Sequence, residues 1–308
     1  MMRYAILLRI GALLLACAVV AACGRQPPAQ PEPKHPAKVI SRADKVPGPS
    51  RTPEGARERP AAEPKGTLAA VMDRGELRVG MQMGYVPFEM AGPDGQPCGL
   101  DVDSAAMVAA SLGVGLRLVR QNWEGLVPPL LEGKIDLIMS GMTITPQRNV
   151  QVAFTDPVLE TGRMFLVHKT NRDRFKKFKD LDSDGIFVVA GRTGLGELRV
   201  KELLPRVGFR EFPESSQALE EVLQGRAHAF VDEEFTVRLA CARHAGKLLS
   251  GFEPLTYEPV AWAIRPGDSH WLNWLNHFIR RIRKDGSLER LKIKWLRDYF
   301  LDLKAHPK

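Results

Sequence analysis

From residue 77 onwards short apolar runs alternate with longer amphipathic ones, and no other feature limits the available folds as much. The runs at 77–81, 116–119 and 135–139 are long enough for buried strands and too short for helices. Helical patterns lie between them, near 102–112 and from Glu124. A second set follows, with strands near 164–167, 186–190 and 229–231 separated by helical stretches at 196–204 and 217–223. Such alternation predicts an α/β fold of mainly parallel sheets with helices on both faces. The end of the chain reads as helical. Trp271, Leu272, Leu275, Phe278, Ile279 and Ile282 recur at three and four, Asp285-Gly286-Ser287 makes a turn, and Leu288, Leu291 and Trp295 begin a last helix. These large apolar residues are packing residues.

The first 65 residues belong to no such pattern. Arg3 and Arg9 precede an apolar run over 10–22 that is short for a membrane span and has the flanks of a signal peptide. The run closes on Val20-Ala21-Ala22-Cys23, which resembles the lipobox of bacterial lipoproteins. That resemblance implies a signal peptide over 1–22 and lipidation of Cys23, with Cys17 as the alternative cysteine and an unlipidated signal peptide as the alternative processing. Residues 23–65 read as a disordered tether. They hold ten of the 23 prolines and almost no large apolar side chains, so they have nothing to bury. As a flexible coil this stretch would span roughly 35–40 Å.

The formal charge of +8 is concentrated in that leader. The signal carries +2 and the tether nine Lys/Arg against five Asp/Glu, which leaves +2 for everything after residue 65. A nucleic-acid partner is therefore not expected. Cys98 and Cys241, the two cysteines beyond the leader, read as unrelated thiols. The seven histidines show no paired metal-ligand spacing, no GxSxG elbow occurs, and no cofactor is expected. Gly191-Arg192-Thr193-Gly194-Leu195-Gly196 is glycine-rich between a strand and a helix but lacks the GK[ST] ending of a phosphate loop. It still brings backbone N–H groups together at a helix start, which suits a small anion.

The stretch Ser140-Gly141-Met142-Thr143-Ile144-Thr145-Pro146-Gln147-Arg148 follows an apolar strand. Thr145 before Pro146 is a helix start: a threonine oxygen caps free N–H groups and proline suits the first helical position. Several stretches in order resemble family 3 extracellular solute-binding proteins of ABC importers, the polar amino-acid group. They are Gly75–Gly80 (GELRVG), Tyr85-Val86-Pro87-Phe88-Glu89, Gly99-Leu100-Asp101-Val102-Asp103, Trp123-Glu124-Gly125-Leu126, Gly133-Lys134-Ile135-Asp136, the 140–148 stretch with Phe154-Thr155-Asp156-Pro157 beyond it, Gly225-Arg226-Ala227-His228-Ala229-Phe230 and Lys284-Asp285-Gly286-Ser287.

The resemblance implies a type II periplasmic-binding-protein fold, two lobes joined by a two-strand hinge, with lobe 1 over 66–161 and 258–308 and lobe 2 over 162–257. It puts Arg148 on a ligand carboxylate, where a guanidinium fork makes two charge-assisted bonds. Thr143 becomes a second donor to that carboxylate and the Gly141 carbonyl an acceptor for an α-ammonium. Thr193 and Gly194 complete the cradle, with Arg192 standing where the family usually has glycine. The ammonium partner falls at Glu233, or at Asp232 beside it. Tyr85 and Trp123 wall the ligand side chain. Gln82 stands where relatives that bind basic amino acids often carry aspartate, which tilts the expected ligand towards a polar amino acid.

The implied role is a lipid-anchored periplasmic receptor, monomeric, that passes an amino acid to an inner-membrane ABC permease, with no catalytic residue assigned. A cyclohexadienyl dehydratase, which resembles this family, is the enzymatic alternative, with Glu197 or Glu233 as the acid. A sensing module is the third; no second apolar span occurs, so it would signal through a separate membrane partner.

Overall fold

The strand Glu76–Met81 buries Leu77, Val79 and Met81 and lies parallel to Gly115–Arg120 on one side and Leu137–Ile138 on the other. This computed structural model describes residues 66–191, 196–250 and 254–305, and only the backbone over 196–199. The expected signal peptide, the tether, Cys17 and Cys23 lie outside the described residues. The sheet continues beyond its parallel triad in a way the alternation did not announce. Ala263–Ile264 pairs antiparallel with both Leu137–Ile138 and Ala153–Phe154, giving five strands.

A second five-stranded sheet repeats the plan. Phe187–Gly191 lies parallel to Gly208–Phe212 and to Ala229–Glu233, and Arg163–His168 and Leu248–Leu249 add antiparallel strands. The chain passes from the first sheet to the second through Leu159–Thr161 and returns through Glu258–Val260. These two crossings pair antiparallel with each other, Thr161 opposite Glu258 and Leu159 opposite Val260.

Helices cover the sheets where the periodicity placed them, at Leu100–Leu112, Gly196–Leu203, Ser215–Leu223 and Ser269–Lys284. The last of these is capped by Asp268, whose carboxylate accepts the Trp271 N–H at 3.1 Å. It buries Trp271, Leu275, Phe278, Ile279 and Ile282, each contributing roughly 1.5–3 kcal/mol of transfer free energy. From Glu124 the expected helix is broken into a 3-10 turn, Trp123–Gly125, and a short helix, Val127–Leu131, because Pro128 and Pro129 confine regular helix to a first turn. The final helix opens at Ser287, widens into a π-helical stretch over Ile293–Asp298, and resumes at Tyr299–Ala305. Cys98 and Cys241 are free thiols.

Candidate functional site

The 140–148 stretch leaves the strand Leu137–Ile138 at the centre of the first sheet. The buried Ser140 hydroxyl accepts the Gln82 N–H at 2.9 Å and donates to Glu89 Oε1 at 2.5 Å. Gly141 has φ +56°, and a Cβ there would stand 2.5 Å from Tyr85 Cε1, so both backbone and neighbour require glycine. Its N–H donates to Asp101 Oδ2 at 2.7 Å. Residues 142–144 then run along the return crossing: the Ile144 N–H meets the Pro259 carbonyl at 2.8 Å and the Ala261 N–H meets the Met142 carbonyl at 3.0 Å.

Thr145 caps the short helix Pro146–Asn149 through the Arg148 N–H at 3.2 Å, as the Thr-Pro pair predicts. The cap turns Arg148 back over its own stretch. Its Nη1 donates to the Thr143 carbonyl at 2.8 Å and also to the Thr143 hydroxyl, and its guanidinium stands 5.0 Å from the Trp123 ring centre. Burial lowers the Arg148 pKa, opposed by the negative charge of Glu233. The guanidinium is thus within electrostatic reach of the acid that ends a strand of the other sheet.

That acid closes the strand Ala229–Glu233. The Tyr85 hydroxyl donates to the Glu233 carboxylate, joining the two sheets, and the Tyr85 ring stacks on Phe88 at 4.9 Å. Burial, then the Glu233 charge, holds the Tyr85 hydroxyl well above its ordinary pKa, so it stays a donor. Asp232 points the other way along the strand and is only 2% exposed. Its two oxygens accept the Ser215 hydroxyl at 2.5 Å and the Glu233 N–H at 2.7 Å, and burial raises its pKa. Of the two acids weighed for an ammonium partner, Glu233 is the one turned towards Tyr85.

Two further carboxyls lie behind this surface. Glu89 is fully buried, its Oε2 has no hydrogen-bond partner among the described residues, and burial followed by the Asp101 charge pushes its pKa up to about 10. Burial also raises Asp101 to about 7, against the opposing pull of the Gly141 N–H. Burial thus favours the neutral form of Glu89 over the carboxylate.

Tyr85, Gly141, Thr143, Arg148 and Glu233 thus form one connected surface, with Trp123 under the Arg148 guanidinium. Gln82 joins it by its backbone, and its side chain is half-buried. Thr193 and Gly194 lie outside the described residues, as does the side chain of Glu197. Sequence reasoning did not single out Arg163, Glu258 or the buried pair Glu89 and Asp101. The last two stand inside quoted stretches, and an acid directly after Pro-Phe was the available signal. A cavity of about 520 Å³ is lined by Trp123 and Arg148 together with Val127, Leu131 and Met142. It shares Trp123 and Arg148 with this surface but is not lined by Tyr85 or Glu233. Among the described residues no cluster of His, Cys, Asp or Glu could hold a metal.

The model of the bacterial extracellular solute-binding proteins, family 3, matches residues 77–298. The chain is 28% identical over 234 residues to the L-cystine-binding protein TcyJ of Escherichia coli, covering 75% of this chain and 86% of that protein. It is 24% identical over 230 residues to the cyclohexadienyl dehydratase of Pseudomonas aeruginosa, covering 74% and 85%. A solved ancestral cationic amino acid solute binding protein superposes with a TM-score of 0.65 at 39% identity, over 74% of this chain and 99% of its own. The mixed five-stranded sheets and paired crossings are thus those of a type II periplasmic binding protein, and the chain belongs to family 3 of the bacterial extracellular solute-binding proteins.

Proposed function

We propose that the protein is an extracytoplasmic receptor that holds an amino acid between its two sheets and delivers it to an ABC permease in the inner membrane. The ligand carboxylate rests on Arg148 and Thr143, its ammonium on Glu233 and the Gly141 carbonyl, and its side chain beside Tyr85, Trp123 and Gln82. Thr193 and Gly194 complete the carboxylate cradle. The observation that supports this reading is the opposition of a half-buried guanidinium and a carboxylate across Tyr85, one on each sheet. Such a pair is complementary to the two ends of a zwitterion. Contacts from the second sheet exist only when the gap is shut, so they favour closure on ligand.

The lobes run over 66–161 with 258–308, and 162–257. Residues 1–22 are removed, Cys23 carries the lipid, and 23–65 give a monomeric receptor its reach from the membrane. A thermal-shift screen of the folded part against the standard amino acids, followed by calorimetry, tests the reading. Binding of at least one amino acid is expected, and no binding by any would overturn it.

A second reading draws on the cyclohexadienyl dehydratase relative. Glu233, hydrogen-bonded to the half-buried Tyr85, is an acid that could assist departure of a leaving group. Formation of phenylpyruvate from prephenate, followed in the ultraviolet, would establish it. Silence in that assay with amino-acid binding intact leaves the receptor reading standing. A sensor would instead require a membrane partner that responds to the ligand-bound form.

A further inference from the structure

Arg163 opens the strand Arg163–His168, two residues beyond the first crossing Leu159–Thr161. Its side chain is 13% exposed and touches three carboxylates. Nε lies 3.0 Å from Glu258 Oε1, Nη2 lies 3.5 Å from Glu233 Oε1, and Nη1 lies 3.7 Å from Asp232 Oδ1. Each nitrogen of the rigid fork thus faces a different acid. Glu258 belongs to the return crossing, stands opposite Thr161, and also accepts the Thr256 hydroxyl at 2.9 Å. Asp232 is immobilised by Ser215 and by the Glu233 N–H. One side of the guanidinium is therefore braced on the crossing strands and another on a fixed, buried carboxylate.

Glu233 is the most exposed of the three acids, its side chain 30% exposed against 21% for Glu258 and 2% for Asp232. Three carboxylates this close repel one another, and the central cation is what allows them to share the space. Its contact is with Oε1 of Glu233, while the Tyr85 hydroxyl takes Oε2. Arg163 and Tyr85 thus engage different oxygens of the one carboxylate.

We propose that Arg163 is a positioning residue for ammonium recognition: it holds the Glu233 carboxylate in one orientation against Tyr85 and ties that orientation to the crossing strands, without itself touching ligand. This rests on the reading that an amino acid binds here with its ammonium on Glu233. The fork carries the effect. A lysine keeps the charge but has a single centre and cannot address Glu258, Asp232 and Glu233 together.

The test compares two ligands rather than one. The tightest binder among lysine, arginine, glutamine, histidine and cystine is paired with the same acid lacking its α-amino group (6-aminohexanoate for lysine, 4-carbamoylbutanoate for glutamine), and both are titrated by calorimetry or competition. Arg163→Lys is expected to weaken the amino acid about tenfold and its des-amino partner less than about twofold, because only the former uses Glu233. Glu258→Gln, which loosens the same guanidinium from the return crossing, shifts the ratio the same way and serves if Arg163→Lys does not fold. In a Glu233→Gln background the Arg163→Lys change should leave the ratio unaltered. Equal weakening of both ligands, or an unchanged ratio, overturns the assignment of Arg163 alone. A wild-type protein that binds no amino acid overturns the receptor reading together with it.

Discussion

Replacing Arg148 by alanine is the most direct test of the zwitterion site. Its Nη1 is engaged by the Thr143 carbonyl, which leaves Nε and Nη2 to meet a ligand carboxylate. Truncating one partner of a hydrogen-bonded charge pair costs about 2–5 kcal/mol when the pair is buried. Arg148 is half-buried, so water screens part of the interaction and the lower end applies, about 2–3 kcal/mol. That corresponds to a Kd about 30- to 150-fold weaker. Calorimetry with the best amino-acid ligand reads the loss. The same ligand without its carboxylate, cadaverine in place of lysine for example, should lose little from the substitution. The substitution also removes the stacking on Trp123, about 0.5–1 kcal/mol of stability, and the bonds to Thr143, so circular dichroism checks that the variant is folded before it is titrated. A Kd within twofold of wild type, on a folded variant, would refute the placement of the carboxylate.

Glu89 and Asp101 both have folded-state pKa values above their ordinary ones, so the folded protein binds more protons than the unfolded chain. Stability should therefore be greatest below about pH 4.5, as far as these two groups are concerned. It should fall as pH rises through about 7 for Asp101 and on towards about 10 for Glu89. Glu89→Gln, an isostere of the neutral acid, should flatten the upper part of that decline in thermal melts from pH 5 to 9; an unchanged slope would show that Glu89 is ionised. Gly141→Ala forces a Cβ into left-handed backbone, costing roughly 1–2 kcal/mol, and drives it against Tyr85. Lower melting temperature and weaker ligand binding should appear together, and wild-type values for both would mean that Tyr85 does not pack there. Ser215→Ala strips the hydroxyl from buried Asp232 and should cost about 1–3 kcal/mol in urea denaturation; a midpoint indistinguishable from wild type would contradict the buried contact.

The parallel triads were legible because buried strands read as uninterrupted apolar runs, such as Val188-Val189-Ala190. The antiparallel additions Ala153–Phe154, Leu248–Leu249 and Ala263–Ile264 span two residues each, too few to carry a period. The α/β two-sheet class was therefore readable, and the reversed strand inside each sheet, Ala263–Ile264 in one and Arg163–His168 in the other, was not. At the site, the Thr145 cap was readable since it depends on adjacent residues. Arg163 was invisible because its three partners lie 69 to 95 residues further along the chain, and nothing local marks an arginine that will be buried by them. Asp232 and Glu233 could not be separated in sequence. Strand geometry separates them, sending one carboxylate under Ser215 and the next towards Tyr85.

The place of Ala263–Ile264 bears on how such a chain matures. This strand arrives late yet sits inside the first sheet, between Leu137–Ile138 and Ala153–Phe154. Until it emerges, both of those neighbours present bare edges that invite mispairing. The second sheet, continuous from Arg163 to Leu249, has no such wait. Assembly is thus expected to run inside out, the inserted half maturing while the half that encloses it stays unfinished until the carboxyl-terminal fifth is delivered.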